Sequence, residues 1–469
     1  MRSVQEFLSS LNDGRKVHYR GRLVGSVAHH PVLGIAARHA GKLFDYPART
    51  IHDERLGDIS GFYRVPKNSA DLLDRHRLVY ETTMFCNGVF NISQAIGSDA
   101  LFALLGLAPQ LEEENRKRVA EYFDWVARKD LTIAVAQTDV KGDRSKRPSE
   151  QVDRDLYLRV VDEKGGGIVV RGAKAHTTQA AVADEIIVIP TRSMKSSEEE
   201  YSVAFAVPAN TPGLTMFVRP VDEVEGNTSA VLSRLDYELE TLTVFEDVFV
   251  PWERVFLYRN TGLAGRLATL FANFHRFTAI SYRSAMANLY LGAALEAAKS
   301  NGLTAEKHVR DDLLEIVTYK ELMRMSAIAA SSQPLLLGGV AVPNPVYTNI
   351  GKIYSNTHFT DLLRSLIDIS GGIIATLPSQ EDLNTSSKDL IEKYMRGAVD
   401  GASRIKTLKL AKELGATSMA GYMLTLMIHA EGSIESSKIE LFRNYDFSEA
   451  TRLVNKILNT NTDQDTSTG

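Results

Sequence analysis

The chain has 469 residues, 44% hydrophobic and 24% charged, which is ordinary globular composition with enough length for about two to four domains around large cores. Its formal net charge is −4, and its Lys and Arg are scattered rather than gathered in a basic block, so no nucleic-acid footprint is expected. One cysteine, Cys86, excludes an internal disulfide and a cysteine-rich metal centre, and the 11 histidines include no HExxH pair, so no metal site is expected.

Residues 1 to about 130 read as a mainly helical N-terminal domain. Ser69–Arg77 and Asp99–Leu107 carry apolar residues at helical spacing, and Leu111–Arg128 sets such a stripe against many charges. The first residues are polar, without the apolar stretch of a signal peptide, and no window of about 18 apolar residues occurs. No membrane association and a cytoplasmic location are therefore expected. From 131 to 258 the texture changes to short β-rich runs between turn residues: 156–161, 167–170, 185–189, 201–207, 214–218 and 242–250. Their spacing predicts an antiparallel barrel or sandwich, and the lack of interleaved helices argues against a Rossmann sheet. From 259 to 458 the segments 262–300, 304–331, 345–370 and 402–430 suit a helix bundle. The tail 459–469 has no apolar residue and is expected to be disordered.

Five stretches, in order, carry a resemblance. They are Leu8-Ser-Ser-Leu-Asn-Asp-Gly-Arg15, Ala136-Gln-Thr-Asp-Val-Lys-Gly-Asp-Arg-Ser145, Gly167-Ile-Val-Val-Arg-Gly-Ala-Lys-Ala-His-Thr-Thr178, Phe249-Val-Pro-Trp-Glu-Arg-Val-Phe256 and Asp368-Ile-Ser-Gly-Gly-Ile-Ile-Ala-Thr-Leu-Pro378. Together they resemble the 4-hydroxyphenylacetate 3-monooxygenase / 4-hydroxybutyryl-CoA dehydratase superfamily over nearly the whole chain. The resemblance implies an α+β, acyl-CoA dehydrogenase-like fold: N-terminal helices, a central antiparallel β-barrel and a C-terminal helix bundle. It also implies FAD, bound as such or supplied in reduced form.

The residues agree with a flavin. No G-x-G-x-x-G follows a predicted strand, so another element must hold a dinucleotide. The turn-rich segment with Thr138, Asp139, Arg144 and Ser145 offers backbone N–H groups, hydroxyls and a guanidinium. The resemblance places this segment, with Thr177 and Thr178, along the flavin; ordinary hairpin turns would use the same residue types. Gly371 and Gly372 let a backbone approach a ligand closely, or simply cap a helix. In the resembled family that loop meets the adenosine part of a neighbouring subunit's flavin, which implies a homotetramer, a dimer of dimers.

The dehydratase branch holds an iron–sulfur cluster through Cys-x3-Cys plus a His and a Cys on the first bundle helix. The matching positions here are Asn91, Ala95, His275 and Tyr282. Only the His is kept, and a cluster needs thiolates for most of its ligands. Cys86 lies off the pattern and reads as a small buried side chain. His275 and Tyr282, seven residues apart, share a helix face. His275 is a candidate base or donor, Tyr282 a donor to a substrate oxygen, and Arg283, where relatives carry Lys, a partner for a carboxylate or anionic flavin. Glu240 matches a glutamate near the dehydratase substrate and is a candidate base. His429 and Glu431 fall where the family places a segment near the active site. For each, a structural hydrogen bond is the plainer reading. The monooxygenase branch positions a phenol with an Arg-x3-Tyr pair and a His; the corresponding residues are Ile96, Ala100 and Val135, which cannot do so.

Two functions follow from the resemblance. The first is a two-component flavin monooxygenase, with reduced FAD from a separate reductase, acting with O2 on a small organic substrate. The alternative is a cluster-free acyl-CoA-type dehydratase, isomerase or dehydrogenase using bound FAD. A non-catalytic flavin-binding subunit is the least chemical reading.

Overall fold

A computed structural model describes residues 1–464, with side chains to 458. The predicted order of helices, strands and helices is observed, and the expected segments take shape as helices Ser69–Phe85, Ala95–Leu107, Glu113–Lys129, Thr261–Asn301, Lys307–Ser332 and Pro345–Ser370. The expected helix 402–430 is instead two, Gly401–Ala416 and Ser418–His429, broken where Thr417 turns to extended backbone.

The middle strands do not close into a single barrel among the described residues. They form a six-stranded and a four-stranded sheet. Most neighbours are antiparallel, as expected, but Ile133–Ala136 runs parallel to Glu185–Val188. The expected helical N-terminus also supplies strand Val17–Tyr19, which lies parallel to Leu214–Val218 and so joins the first 130 residues to the central sheet. One apolar core fills the sheets and the N-terminal helices against them, and a second fills the helical bundle. The last helix, Ser448–Gln464, runs into the stretch expected to be disordered, and residues 465–469 lie outside the described part. No helix among the described residues is long and apolar enough to cross a membrane.

Helix Thr261–Asn301, 41 residues without proline, is the axis of the bundle. Asn260 caps it by accepting the Leu263 N–H at 3.1 Å, and Gly302 at φ 76° ends it by donating to Ala298 and Lys299. From Asn273 to Ala287 every side chain is buried, whichever way it points. Such a helix belongs in the interior, and each polar residue on it needs an internal partner. Helix Ala95–Leu107 wedges between it and strand Ile133–Ala136. Gly97 makes the fit, since a Cβ there would stand 2.4 Å from the Ile133 Cβ.

Candidate functional site

The obligation to satisfy buried polar groups sorts the candidates on the long helix. His275 Nδ1 faces Asp99 Oδ2 at 3.1 Å. Asp99 is fully buried, the one charged residue of its helix, and also receives Arg75 at 2.6 Å and the Thr278 hydroxyl at 3.0 Å. This fixes the imidazole in one orientation, stacked on Phe271. Tyr282 turns elsewhere: its hydroxyl donates to Glu431 Oε1 at 2.8 Å, and its ring stacks on Phe90 at 4.3 Å between centroids. Burial raises the Tyr282 phenol well above its ordinary value, so it stays a donor. Arg283 is fully buried and donates to Glu431 Oε2 at 2.7 Å, Asn356 Oδ1 at 2.8 Å and Ser355 Oγ. Its guanidinium is spent on the protein and organises a loop rather than facing a ligand.

Glu431 is the hub of that loop. It accepts Tyr282 and Arg283 and pairs with Lys352 at 2.9 Å. Burial pushes its carboxyl up, but the Arg283 and Lys352 cations beside it hold it down at about 2. It sits at φ 55°, left-handed backbone that a non-glycine residue adopts at a cost and that these contacts hold in place. Lys352 has no counterpart in the sequence motifs; its one signal is a lysine on the inner side of a bundle helix.

Glu240 links two halves of the site. It accepts the Thr178 hydroxyl at 3.0 and 3.1 Å and the Tyr422 hydroxyl at 3.3 Å. Burial pushes its carboxyl up to about 7, against the pull of the Thr178 hydroxyl and nearby Arg219. Tyr422 in turn lines a small apolar cavity of about 40 Å³, walled by Phe90, Tyr282, Met286 and Met423. One further acid, Glu238, faces that cavity.

The turn segment supplies polar groups on the other side of Glu240. Thr138 is half-buried and its carbonyl accepts the Ala175 N–H at 2.8 Å, which draws the two motif segments together. Asp139 faces inward: it pairs with Lys174 at 2.9 Å and accepts the Leu158 N–H at 2.9 Å. Arg144 is exposed, and Ser145 donates its hydroxyl to Asp143 at 2.7 Å. The Thr177 hydroxyl oxygen is buried without a partner. Burial and the neighbouring cations Arg144 and Arg192 lower Lys141, and burial, Lys141 and His429 lower His176. An orphaned hydroxyl beside crowded cations fits an anionic dinucleotide, which would satisfy the first and relieve the second.

Gly371 and Gly372 are not brought to this place. Gly371, at φ 76°, caps helix Pro345–Ser370. Asn301 donates to the Ile369 and Ser370 carbonyls, so the loop lies at the far end of the long helix. That end is 26 residues from His275, about 39 Å at 1.5 Å per residue.

The cluster positions are likewise engaged. Asn91 donates to the His39 carbonyl at 2.8 Å, Ala95 packs in the core, and Tyr282 and His275 are held as described. With Cys86 the single cysteine, the thiolates an iron–sulfur cluster requires are missing from this chain. The phenol-binding positions Ile96, Ala100 and Val135 are buried apolar residues.

Residues 3–257 match the family described as 4-hydroxyphenylacetate 3-hydroxylase N terminal, and residues 264–459 match 4-hydroxyphenylacetate 3-hydroxylase C terminal. A 4-hydroxybutyryl-CoA dehydratase/vinylacetyl-CoA-Delta-isomerase of Clostridium aminobutyricum is 29% identical over 85% of each chain. The oxygenase component of 4-hydroxyphenylacetate 3-monooxygenase from Thermus thermophilus is 26% identical over 94% of this chain and 90% of its own. Among solved structures, the oxygenase component of 4-hydroxyphenylacetate 3-monooxygenase complexed with FAD and 4-hydroxyphenylacetate superposes with a TM-score of 0.92 over 99% of both chains. At 24% identity that likeness shows a shared fold.

Proposed function

The chain belongs to the 4-hydroxyphenylacetate 3-hydroxylase family, matched in both its halves, and from that membership we propose that it is the FAD-dependent oxygenase component of a two-component monooxygenase acting on a small organic substrate. The observation that carries the reading is Glu240. It joins Thr178, beside the orphaned Thr177 hydroxyl, to Tyr422 in the wall of the apolar cavity.

Thr138, Thr177 and Thr178 would hold the flavin ring side, and Lys141, Arg144 and Arg192 the pyrophosphate. Reduced FAD supplies the electrons that activate O2. The chain supplies the rest. The apolar cavity wall binds the substrate and excludes water. Glu240, poised near neutral pH, accepts a proton at its carboxylate or returns one through the Thr178 hydroxyl. His275 is fixed by Asp99 at Nδ1, and its Nε2 has no partner among the described hydrogen bonds, so that nitrogen is left to exchange a proton. A separate reductase is part of this reading, because relatives are named as oxygenase components of their monooxygenases.

A homotetramer is part of the proposal. The remote Gly371–Gly372 loop is explained if it serves a neighbouring subunit, and the C-terminal helices leave Phe442, Leu453, Ile457 and Leu458 exposed. A cytoplasmic location suits a chain with one buried, unpaired cysteine.

The cluster-free acyl-CoA-type reaction is the second reading, favoured by one observation: the chain is 29% identical to a dehydratase over 85% of each chain, and His275 and Glu240 stand at positions the resemblance matches to that branch. Stopped-flow absorbance separates the two. On mixing the protein and reduced FAD with O2, the monooxygenase reading predicts a slowly decaying species distinct from oxidised and reduced flavin. Direct reoxidation to peroxide, with anaerobic turnover of an acyl-CoA, would support the second reading and overturn the first.

A further inference from the structure

Arg219 and Glu240 stand at the two ends of the connection 220–239, which carries Leu232, Tyr237 and Glu238 to the cavity. Strand Leu214–Val218 pairs antiparallel with Thr241–Pro251, with Val218 opposite Thr241. One step further along that register Arg219 faces Glu240, and the Arg219 N–H donates to the Glu240 carbonyl at 3.0 Å. Residues directly opposite each other on antiparallel strands project their side chains from the same face. The register therefore sets a guanidinium beside the Glu240 carboxyl. Of the charges that act most on that carboxyl, Arg219 is the cation and Glu431 the acid.

The guanidinium is itself held in place. Glu223 receives Nη2 at 2.5 Å and Nη1 at 3.2 Å, and Nη1 also donates to the Pro220 carbonyl at 2.9 Å. Its central carbon stands 3.7 Å from the centre of the Tyr422 ring, well inside the reach of about 6 Å for a cation over a ring face. Tyr422 comes from helix Ser418–His429 and donates to Glu240 Oε1 at 3.3 Å, longer than an ordinary hydroxyl bond. A bond at that length depends on where the ring stands, and the ring stands against Arg219. The other acids nearby compete little for this cation. Burial, with Glu240 beside it, raises the Glu238 carboxyl well above its ordinary range, so it stays neutral, and Glu431 is met by Arg283 and Lys352. Arg219 Nε is buried without a hydrogen-bond partner, so one N–H of the guanidinium is uncommitted.

We propose that Arg219 is the positioning residue of Glu240: it holds the Tyr422 ring where the phenol reaches the carboxyl, and it supplies the positive charge that lets that carboxyl ionise in a buried place. Calling Glu240 a base for a substrate rests on the monooxygenase reading; the coupling of Arg219, Tyr422 and Glu240 stands on the geometry.

Infrared spectra of the full chain without FAD, recorded across pH, test this. The C=O stretch of the neutral Glu240 carboxyl is the band that the unmodified protein shows and E240Q lacks, and it is expected to disappear with a midpoint at about pH 7. R219Q is expected to move that midpoint up by about one unit, and R219K, which keeps the charge but loses the flat stacking plane, by about half a unit. Y422F is expected to move it up as well, and R219Q/Y422F by less than the two single shifts together, because one clamp serves both. An unchanged midpoint in R219Q, or single shifts that simply add in the double variant, overturns the proposal. R219K, the milder change, decides in the same way where R219Q does not fold. Shifted midpoints in a chain that binds no FAD would retain the coupling and remove the flavin reading; FAD binding with unshifted midpoints would do the reverse.

Discussion

Held by the Thr178 and Tyr422 hydroxyls, the Glu240 carboxyl gives up its proton only near pH 7, because burial disfavours the charged form. Its folded value is raised from the ordinary 4.5 to about 7. Unfolded chains therefore release this proton first as pH rises. The group favours the folded state fully below about pH 4.5 and progressively less up to about pH 7, a change of about 3 kcal/mol. Thermal denaturation of E240Q against the unmodified protein across this window is expected to show a stability difference that shifts in favour of E240Q as pH rises; a constant difference contradicts the assignment. Glu431 behaves oppositely, as the counter-charge of buried Arg283 and Lys352. E431Q strands those cations and is expected to cost about 3–5 kcal/mol in urea denaturation, whereas Y282F, which removes one neutral donor to that carboxylate, is expected to cost about 1.5–3 kcal/mol. At this scale the sequence told residue type but not partner. The seven-residue step from His275 to Tyr282 was legible, yet His275 meets Asp99 across 176 positions and Tyr282 meets Glu431 across 149. Asp99 had a signal, a lone acid in the apolar run Ala95–Leu107, while Glu238 gains its meaning only from a cavity built by distant segments.

Packing between elements rests on close approaches as much as on caps. Gly97 lets helix Ala95–Leu107 press onto Ile133. G97A is expected to force the helix off the strand and cost about 1–3 kcal/mol, measured by chemical denaturation; an unchanged midpoint would mean that Ile133 gives way freely. The long helices were legible because apolar residues recur at helical spacing for dozens of residues. The break at Thr417 was not: no proline or αL glycine marks it, and the helix that follows, Ser418–His429, carries Tyr422 to Glu240. The short hairpins Val17–Leu23 and Thr50–Ser60 were hidden in a region of helical texture, since strands of two to four residues show too little alternation. Parallel pairing of Val17–Tyr19 with Leu214–Val218 is a long-range choice that no local pattern encodes.

In the whole molecule the groups proposed to hold the flavin lie in two places: Thr138, Thr177, Thr178 and their cations toward one end of the long helix, and the Gly371–Gly372 loop at the other. The proposed homotetramer would reconcile them by placing the loop of one copy at the site of another. A Cβ built on Gly372 meets nothing within 4 Å in its own chain, so G372V is expected to leave the melting temperature of the isolated fold nearly unchanged while weakening FAD binding about tenfold or more. Full FAD affinity in G372V would confine the site to one chain. The proposed chemistry requires that this chain hold a flavin without an iron–sulfur cluster. An anaerobic titration of the purified chain with reduced FAD, followed by fluorescence, tests it most directly. Saturation at one FAD per chain, in protein without stoichiometric iron, is the predicted result. No saturable FAD binding, or binding that appears only with iron incorporated, would contradict it.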